Sequence, residues 1–215
     1  MTQYTTVVTG PLGENCYILF REGKAWIIDP GTDEEEIFAE LEARQLIPVC
    51  IVQTHGHFDH LGALDAMMQK WPDLPVYMRA QEKDWCFTNP MNQYPPFYML
   101  QHQPANLIDA GEGLSLGGIS ATFIPTPGHT PGGQCILVTE DVEGPLCFTG
   151  DTLFKGSVGR TDLPGGSFYD LNKSVTKLAN TLAPETTVLP GHGDASTMEY
   201  ECKYNPYLQD EDPGF

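Results

Sequence analysis

The stretch Thr54-His55-Gly56-His57-Phe58-Asp59-His60 places three histidines and one aspartate within six residues. The whole chain of 215 residues contains only six histidines, so chance is a poor explanation for this cluster. Imidazole nitrogens and carboxylate oxygens are ligands that suit zinc. On a loop, side chains two residues apart can converge on one ion while the next pair turns toward another. The stretch therefore predicts a loop that serves two metal ions.

This histidine loop, residues 54–60, lies where a strand gives way to a helix. The apolar run PVCIVQT before it is typical of a buried strand, and LGALDAMMQK after it resumes a helical pattern. Earlier in the chain, YTTVV, NCYILF and AWIID predict antiparallel strands. Residues 33–44 predict an amphipathic helix behind an acidic first turn, with Ile37 and Leu41 at helical spacing.

The second half of the chain repeats this order of elements. The runs LPVYM, NLIDA, GLSLGG, ISATFIP, QCILVTE and PLCFTG predict strands, residues 167–182 predict a helix, and TTVLPG predicts a last short strand. Two similar α/β halves favour two sheets packed face to face with helices outside, an αβ/βα sandwich. Given the chain length, we expect residues 1–215 to form a single domain.

Three further residues have ligand chemistry at the ends of predicted strands. His129 lies in TPGHTPGG, Asp151 in FTGDTLF and His192 in VLPGHG, each flanked by glycine or proline. Such turns bring a side chain to the rim of a sheet. A lone histidine is usually a structural residue, but the joint pattern favours metal binding. The sixth histidine, His102, is predicted to be an ordinary surface residue.

Charge and composition exclude several classes of partner. Lysine and arginine number 11 against 29 aspartates and glutamates, a net charge of −18, which disfavours nucleic acid. No N-terminal leader pattern occurs, and no window approaches the roughly 18 apolar residues of a membrane span. We therefore expect a cytoplasmic protein without a membrane partner. The six scattered cysteines, without a CxxC pair, predict buried and reduced side chains.

The motifs THGHFDH, PGHTPG, TGDTLF and LPGHG resemble the successive motifs of the metallo-β-lactamase superfamily, over nearly the whole chain. The resemblance implies a four-layer αβ/βα sandwich and two metal ions, zinc or else iron or a mixed pair. It also implies a ligand set: His55, His57 and His129 for one metal, Asp59, His60 and His192 for the second, and Asp151 bridging both. Asp29 in IIDPG matches an early aspartate that supports the histidine loop. A turn-forming role before proline is an equal alternative.

The implied chemistry is hydrolysis. Two ions can share a hydroxide as the nucleophile, because coordination lowers the pKa of water to about 7. Asp59 is the catalytic candidate, since it could orient that hydroxide or move a proton. The superfamily's zinc β-lactamases generally carry cysteine at the position of Asp151, so lactam hydrolysis is not expected. His57 and His60 depart from the flavodiiron branch, and the acidic charge argues against the nuclease branches.

Within the superfamily, GDTLFKGSVGRTDLPGG and the terminal NPYLQDE resemble a compact, glyoxalase II-like group of bacterial proteins. That similarity implies a thioesterase acting on a hydroxyacyl-glutathione such as S-lactoylglutathione, a small-molecule partner. The chain departs from glyoxalase II proper: Arg160 and Asp162 stand near the positions of a lysine and a tyrosine, and the chain stops at Phe215 without a basic helical extension.

The substrate-binding candidates are therefore drawn from nearby residues. Lys155 and Arg160 are cations that could meet a substrate carboxylate, although a solvated or structural role is an equal alternative for both. Residues 88–106 form a proline-rich irregular segment that carries Tyr98 among other aromatics. Such a loop covers a binding site or packs its aromatics on the core.

Two other functions remain open at this point. A mononuclear iron persulfide dioxygenase has a similar GRTD-like segment, here residues 159–162, and imidazole and carboxylate suit iron as well as zinc. The third alternative is a metal-binding or partner-binding protein without turnover.

Overall fold

The first half of the chain forms a six-stranded sheet, in a computed structural model that describes residues 1–88 and 106–209. Its strands are β1 (Gln3–Thr9), β2 (Glu14–Arg21), β3 (Lys24–Ile28), β4 (Ile47–Val52), β5 (Val76–Met78) and β6 (Leu107–Asp109), in the order β1-β2-β3-β4-β5-β6. β1 to β3 are antiparallel, whereas β3 to β6 run parallel. The described helices of this half are α1 (Glu34–Ala43), α2 (Phe58–Leu61), α3 (Leu64–Lys70) and α4 (Ala80–Thr88).

The second half forms a matching sheet. Its elements are β7 (Gly113–Leu116), β8 (Ile119–Pro125), β9 (Gln134–Val138), β10 (Leu146–Gly150), the hairpin β11 (Leu153–Phe154) and β12 (Ser157–Val158), α5 (Phe168–Thr181), β13 (Thr187–Pro190), β14 (Ser196–Thr197) and α6 (Met198–Tyr204). A short 3-10 turn follows at Pro206–Leu208. The strand order is β14-β13-β10-β9-β8-β7, and β10 and β13 pair in parallel.

Alternating side chains send each strand's residues to opposite faces of its sheet. In β2, Cys16 and Ile18 pack in the core beneath α1 and α3, whereas Tyr17 and Leu19 pack between the sheets. In β10, Phe148 joins that inter-sheet core, whereas Cys147 points to the other face and packs beneath α5. Three apolar interfaces thus separate four layers, and the predicted αβ/βα sandwich is confirmed.

Helix α5 illustrates how the sequence fixes an outer layer. Ser167 caps its start, because the serine hydroxyl accepts the backbone N–H of Asp170 at 3.2 Å. Leu171, Val175 and Leu178 follow at helical spacing and are buried against the second sheet. The predicted helix at residues 167–182 therefore agrees closely with the observed one.

Several elements differ from the sequence prediction. The expected helix at residues 61–70 is two helices, and the first begins at Phe58, inside the histidine loop. Helix α4 was not predicted, because AQEKDWCFT buries the polar Glu82 and so lacks a plain apolar stripe. LPVYM and NLIDA, predicted as part of the second half, form β5 and β6 of the first sheet. The short hairpin β11–β12, β14 and α6 were also missed. Tyr98, His102 and most of the proline-rich segment lie outside the described residues.

The cysteines are free, as predicted, and five of them are buried. The prediction of burial is wrong for Cys202, which is exposed. It follows the buried Glu201 on α6, and one residue's rotation along the helix turns its side chain to solvent. None of the helices that the structure describes is long and apolar enough to span a bilayer.

The inter-sheet core gives a stability prediction. Phe148→Ala removes a fully buried ring that packs edge-on against Tyr17 at a centroid distance of 5.1 Å. We expect the free energy of unfolding in urea to fall by about 3–5 kcal/mol. Ile47→Ala, at a side chain 67% exposed, should change it by less than about 0.5 kcal/mol. Equal losses for the two variants would contradict this account of the core.

Candidate metal centre

The predicted ligands come from strand ends in both sheets, at one edge of the sandwich. The histidine loop follows β4, His129 lies between β8 and β9, Asp151 directly follows β10, and His192 follows β13. The backbone N–H of Asn15 donates to the carbonyl of Gly191 at 2.8 Å, which joins the two sheets beside these loops. The fold therefore collects ligand-type side chains that are distant in sequence.

One cluster, the three-histidine group, consists of His55, His57 and His129. One ring nitrogen from each lies within 4.8 Å of the others, and all three side chains are buried. His57 Nδ1 and His129 Nε2 are 2.8 Å apart. Within the described residues, the buried Nε2 atom of His55 has no hydrogen-bond partner. A buried polar atom without a partner is costly, and a bound cation would satisfy it.

The second cluster, the mixed group, consists of Asp59, His60 and His192. Their ligand atoms also lie within 4.8 Å of one another. The Oδ2 atom of Asp59 is 3.3 Å from Nε2 of His192. Asp59 and His60 are adjacent on α2, which is why that short helix, and not an extended loop, presents them.

Asp151 lies between the two groups. Its Oδ2 atom is 3.4 Å from Nε2 of His129, and its Oδ1 atom is 3.3 Å from Nε2 of His60. Gly191 makes room for this carboxylate, because a Cβ atom there would lie 2.4 Å from Oδ1 of Asp151. One carboxylate thus faces both sets of donors.

Asp29 supports the mixed group from behind. Its Oδ1 atom accepts the backbone N–H of Thr54 at 2.6 Å, and its Oδ2 atom lies 3.0 Å from Nδ1 of His60. Asp29 adopts a left-handed backbone with φ of 48°. Aspartate tolerates this conformation better than most residues, which agrees with the alternative of a turn-forming role. The contact with His60 and the turn occur together at this residue, so both interpretations of Asp29 stay predictions.

Backbone carbonyls also hold the outer nitrogens of His129 and His192. His129 Nδ1 lies 2.7 Å from the carbonyl oxygen of Arg160, and His192 Nδ1 lies 3.2 Å from that of Leu12. Such contacts fix the ring so that the other nitrogen faces the site. Sequence reasoning missed both acceptors, because a backbone carbonyl has no signature in the residue type.

Two histidines of the three-histidine group, His55 and His57, favour the neutral state. Burial lowers the pKa of His55 well below its ordinary value. Burial and the neighbouring His129 lower the pKa of His57 to about 3. Neutral imidazole is the form that binds a metal, because its lone pair is free.

The carboxylates favour the ionised state. Burial would raise the pKa of Asp151, but His60, His55 and His129 hold it well below its ordinary value. Asp59 has a lowered pKa because His60 and His192 outweigh its burial. Conversely, these carboxylates outweigh burial at His60 and His192 and raise the pKa of both rings. Ionised carboxylates beside imidazoles form a donor set that fits a divalent cation.

A cleft of about 550 Å³ opens onto these side chains. Its lining is largely apolar and includes Leu12, Phe58 and Phe154. Arg160 also lines it, with its guanidinium held by Asp162 through two hydrogen bonds of 2.7 Å. The predicted substrate residue Lys155 instead pairs with Asp194 at 3.1 Å.

The family model of the metallo-β-lactamase superfamily matches residues 9–192 of this chain. The chain belongs to this superfamily. A probable metallo-hydrolase of Bacillus subtilis, YqgX, is 36% identical over 202 residues, covering 93% of this chain and 94% of the relative. The hydroxyacylglutathione hydrolase GloC of Haemophilus influenzae is 33% identical over 201 residues, covering 91% and 92%.

Solved structures of superfamily members agree with this fold. The B3 metallo-β-lactamase BLEG-1 superposes with a TM-score of 0.86 at 32% identity, over 96% of this chain and all of that one. TTHA1623 in a di-iron-bound form gives a TM-score of 0.83 at 35% identity, over 95% and 100%. Membership and the clustered histidines and aspartates together indicate a divalent-metal-dependent enzyme of the metallo-hydrolase type.

The contact between Asp29 and His60 yields a prediction for this superfamily member. Asp29→Asn keeps the shape and tolerates the left-handed backbone, but weakens the partner of His60 Nδ1. We expect metal affinity, measured by competition with a chromogenic chelator, to fall about 10–100-fold. Asp33→Asn is the matched control, because Asp33 also has a positive φ but accepts the exposed N–H of Gly10. An unchanged affinity in Asp29→Asn would show that this carboxylate only shapes the turn.

Proposed function

We propose that the protein hydrolyses thioesters of the hydroxyacyl-glutathione type, using two divalent cations, zinc by preference. His55, His57 and His129 would hold one cation, Asp59, His60 and His192 the other, and Asp151 would bridge them. The observation that carries the proposal is the position of Asp151, whose two oxygens lie 3.3 and 3.4 Å from histidines of different groups. The similarity to GloC over nearly the whole chain supports the substrate class.

When bound, divalent cations at these positions would lower the pKa of water and polarise the acyl carbonyl. The chain's own residues would supply the rest. Asp59 is ionised and borders the cleft, so its carboxylate can orient the attacking water and accept a proton. A C–O bond forms, the C–S bond breaks, and the departing thiolate takes up a proton from solvent. A thiolate leaves readily, so no strong acid is required beside the sulfur.

The cleft and the charge of the chain support a small-molecule substrate. Leu12, Phe58 and Phe154 would give the acyl group an apolar surface to pack on, and Arg160 provides a cation in the cleft lining. The net charge of −18 supports a small molecule over a nucleic acid as the partner. The free, buried thiols support a reducing, cytoplasmic setting.

Metal content and turnover measured on one sample test this proposal. We expect about two zinc ions per chain by mass spectrometry. We also expect release of glutathione from S-lactoylglutathione, because a pair of divalent cations would activate water for hydrolysis. His57→Ala removes a donor of the three-histidine group and should abolish turnover. Lys173→Ala on α5 is the control, because its side chain is exposed and lies outside the cleft lining, and it should keep full activity.

Other results would exclude parts of the proposal. Turnover in His57→Ala equal to the unmodified enzyme would exclude metal-dependent hydrolysis at this site. Because BLEG-1 is a B3 metallo-β-lactamase, a β-lactam belongs in the same assay. Hydrolysis of the lactam without hydrolysis of any thioester would overturn the substrate class and keep the metal-dependent hydrolase.

Arg160 gives a separate prediction about substrate recognition. Arg160→Met retains the carbonyl that holds His129 but removes the guanidinium from the cleft. Because the side chain is exposed, we expect KM for S-lactoylglutathione to rise only about threefold, with kcat unchanged. Lys173→Met on α5, outside the cleft lining, is the control. An unchanged KM in Arg160→Met would limit the Arg160 side chain to its contact with Asp162.

A second function is favoured by one specific arrangement. His129 and Asp151 lie 3.4 Å apart with His55 beside them, and two histidines with one carboxylate are the ligand type of non-haem iron oxygenases. The di-iron form of TTHA1623 supports iron as a candidate metal. One iron per chain, no hydrolysis, and oxygen consumption with glutathione persulfide would identify a persulfide dioxygenase.

A further inference from the structure

A buried carboxylate outside both ligand groups joins the two loops that supply the three-histidine group. Glu82, in the first turn of α4, is fully buried. Its Oε1 atom accepts the backbone N–H of Gly56 at 2.8 Å, and its Oε2 atom accepts that of Gly132 at 2.7 Å. Gly56 lies between His55 and His57, and Gly132 lies three residues after His129.

The glycines at these positions let both loops rest directly on α4. A Cβ atom at Gly56 would lie 2.3 Å from Cβ of Cys86, and one at Gly132 would lie 2.4 Å from the backbone nitrogen of Glu82. Both distances are shorter than real Cβ contacts allow. The close approach is therefore built into the sequence of each loop, and Glu82 occupies the space between them.

Helix α4 is itself fixed at both sides of this contact. The backbone N–H of Ala80, at its start, donates at 3.2 Å to Oδ1 of Asp109, the last residue of β6. The ring of Trp85, one residue after the middle of the helix, lies 5.4 Å from the ring of His57. An anchored helix can hold Glu82 at a constant height between the loops.

We propose that Glu82 is a positioning residue, whose carboxylate sets the spacing between the His55–His57 loop and the His129 loop. In this way it holds His57 Nδ1 and His129 Nε2 at the 2.8 Å seen here. The inference rests on the proposed function for the role of the three-histidine group. The inference goes beyond the proposed function because, within the described residues, Glu82 belongs neither to the ligand groups nor to the cleft lining.

The chemistry of the side chain decides which substitution is informative. A carboxylate offers two acceptor oxygens and can satisfy two backbone N–H groups at once. The amide of Glu82→Gln has one acceptor, and its NH₂ group would face the second N–H donor. The variant therefore fills the same volume while releasing one of the two loops.

Cobalt titration of the metal-free enzyme tests the proposal. Beside Asp151, one group offers cobalt three imidazoles and the other two imidazoles and the carboxylate of Asp59, so the visible spectra of the two sites differ and can be followed separately. In Glu82→Gln we expect the affinity of the three-histidine group to fall about 10–100-fold, with the mixed group within about threefold. Excess metal should then restore thioester turnover, because the reactive side chains are intact.

Glu201→Gln is the matched control. Glu201 is also a fully buried carboxylate, and it accepts the backbone N–H of Gly156 at 2.9 Å and Nδ2 of Asn205 at 2.8 Å. We expect a similar fall in thermal midpoint and an unchanged cobalt titration. If Glu82→Gln loses stability to the same extent as Glu201→Gln and binds cobalt like the unmodified enzyme, Glu82 is only structural and the proposal is overturned.

A second measurement needs no variant and covers the case in which Glu82→Gln does not fold. Hydrogen exchange in the unmodified enzyme should show the amides of Gly56 and Gly132 strongly protected even without metal. Exchange of either amide at the rate of an exposed loop would overturn the proposal. Both tests are independent of substrate: an enzyme that binds cobalt as described but cleaves no thioester would remove the proposed function and leave the role of Glu82 standing.

Discussion

The burial of ionised carboxylates among imidazoles is the constraint on which the rest of this structure depends. Removing charge from water is expensive, so the arrangement persists only where donors and acceptors are held in place from several sides. Neither half of the chain supplies a complete group. Each takes two residues from the histidine loop and α2 and one from the second half, His129 or His192, while Asp151 also comes from the second half. The face-to-face packing of the sheets thus decides whether a site exists.

The sequence allowed much of this to be predicted, because the signals were of two strong kinds. Apolar runs located eleven of the twelve strands that build the two sheets, and the apolar spacing of α5 located that helix nearly to its ends. Ligand-type residues in glycine- and proline-flanked turns identified the seven side chains that the fold brings together. Their roles as ligands stay predictions until metal is measured.

The remaining features left no such signal. The carbonyls of Leu12 and Arg160 orient two histidines through the backbone, where residue type is irrelevant. Glu82 is a polar residue at a buried position of α4, so apolar periodicity does not identify that helix or its buried face. The helical turn at Phe58 also escaped prediction, because four residues are too few to show a period.

The two sheets meet beside the metal-binding side chains, where Asn15 donates to Gly191, and this position has a consequence for the abundance of the protein in a cell. Since both ligand groups take side chains from both halves, a cation held there acts as a crosslink that the unfolded chain cannot reproduce. Binding restricted to the folded state adds RT ln(1 + [M]/Kd) to stability, about 2.7 kcal/mol when free metal is a hundred times Kd. Starvation for metal would then do more than silence the enzyme. It would lower the stability of the contact between the two sheets and expose the unfolded chain to proteases, so that the abundance of the protein would follow the metal supply.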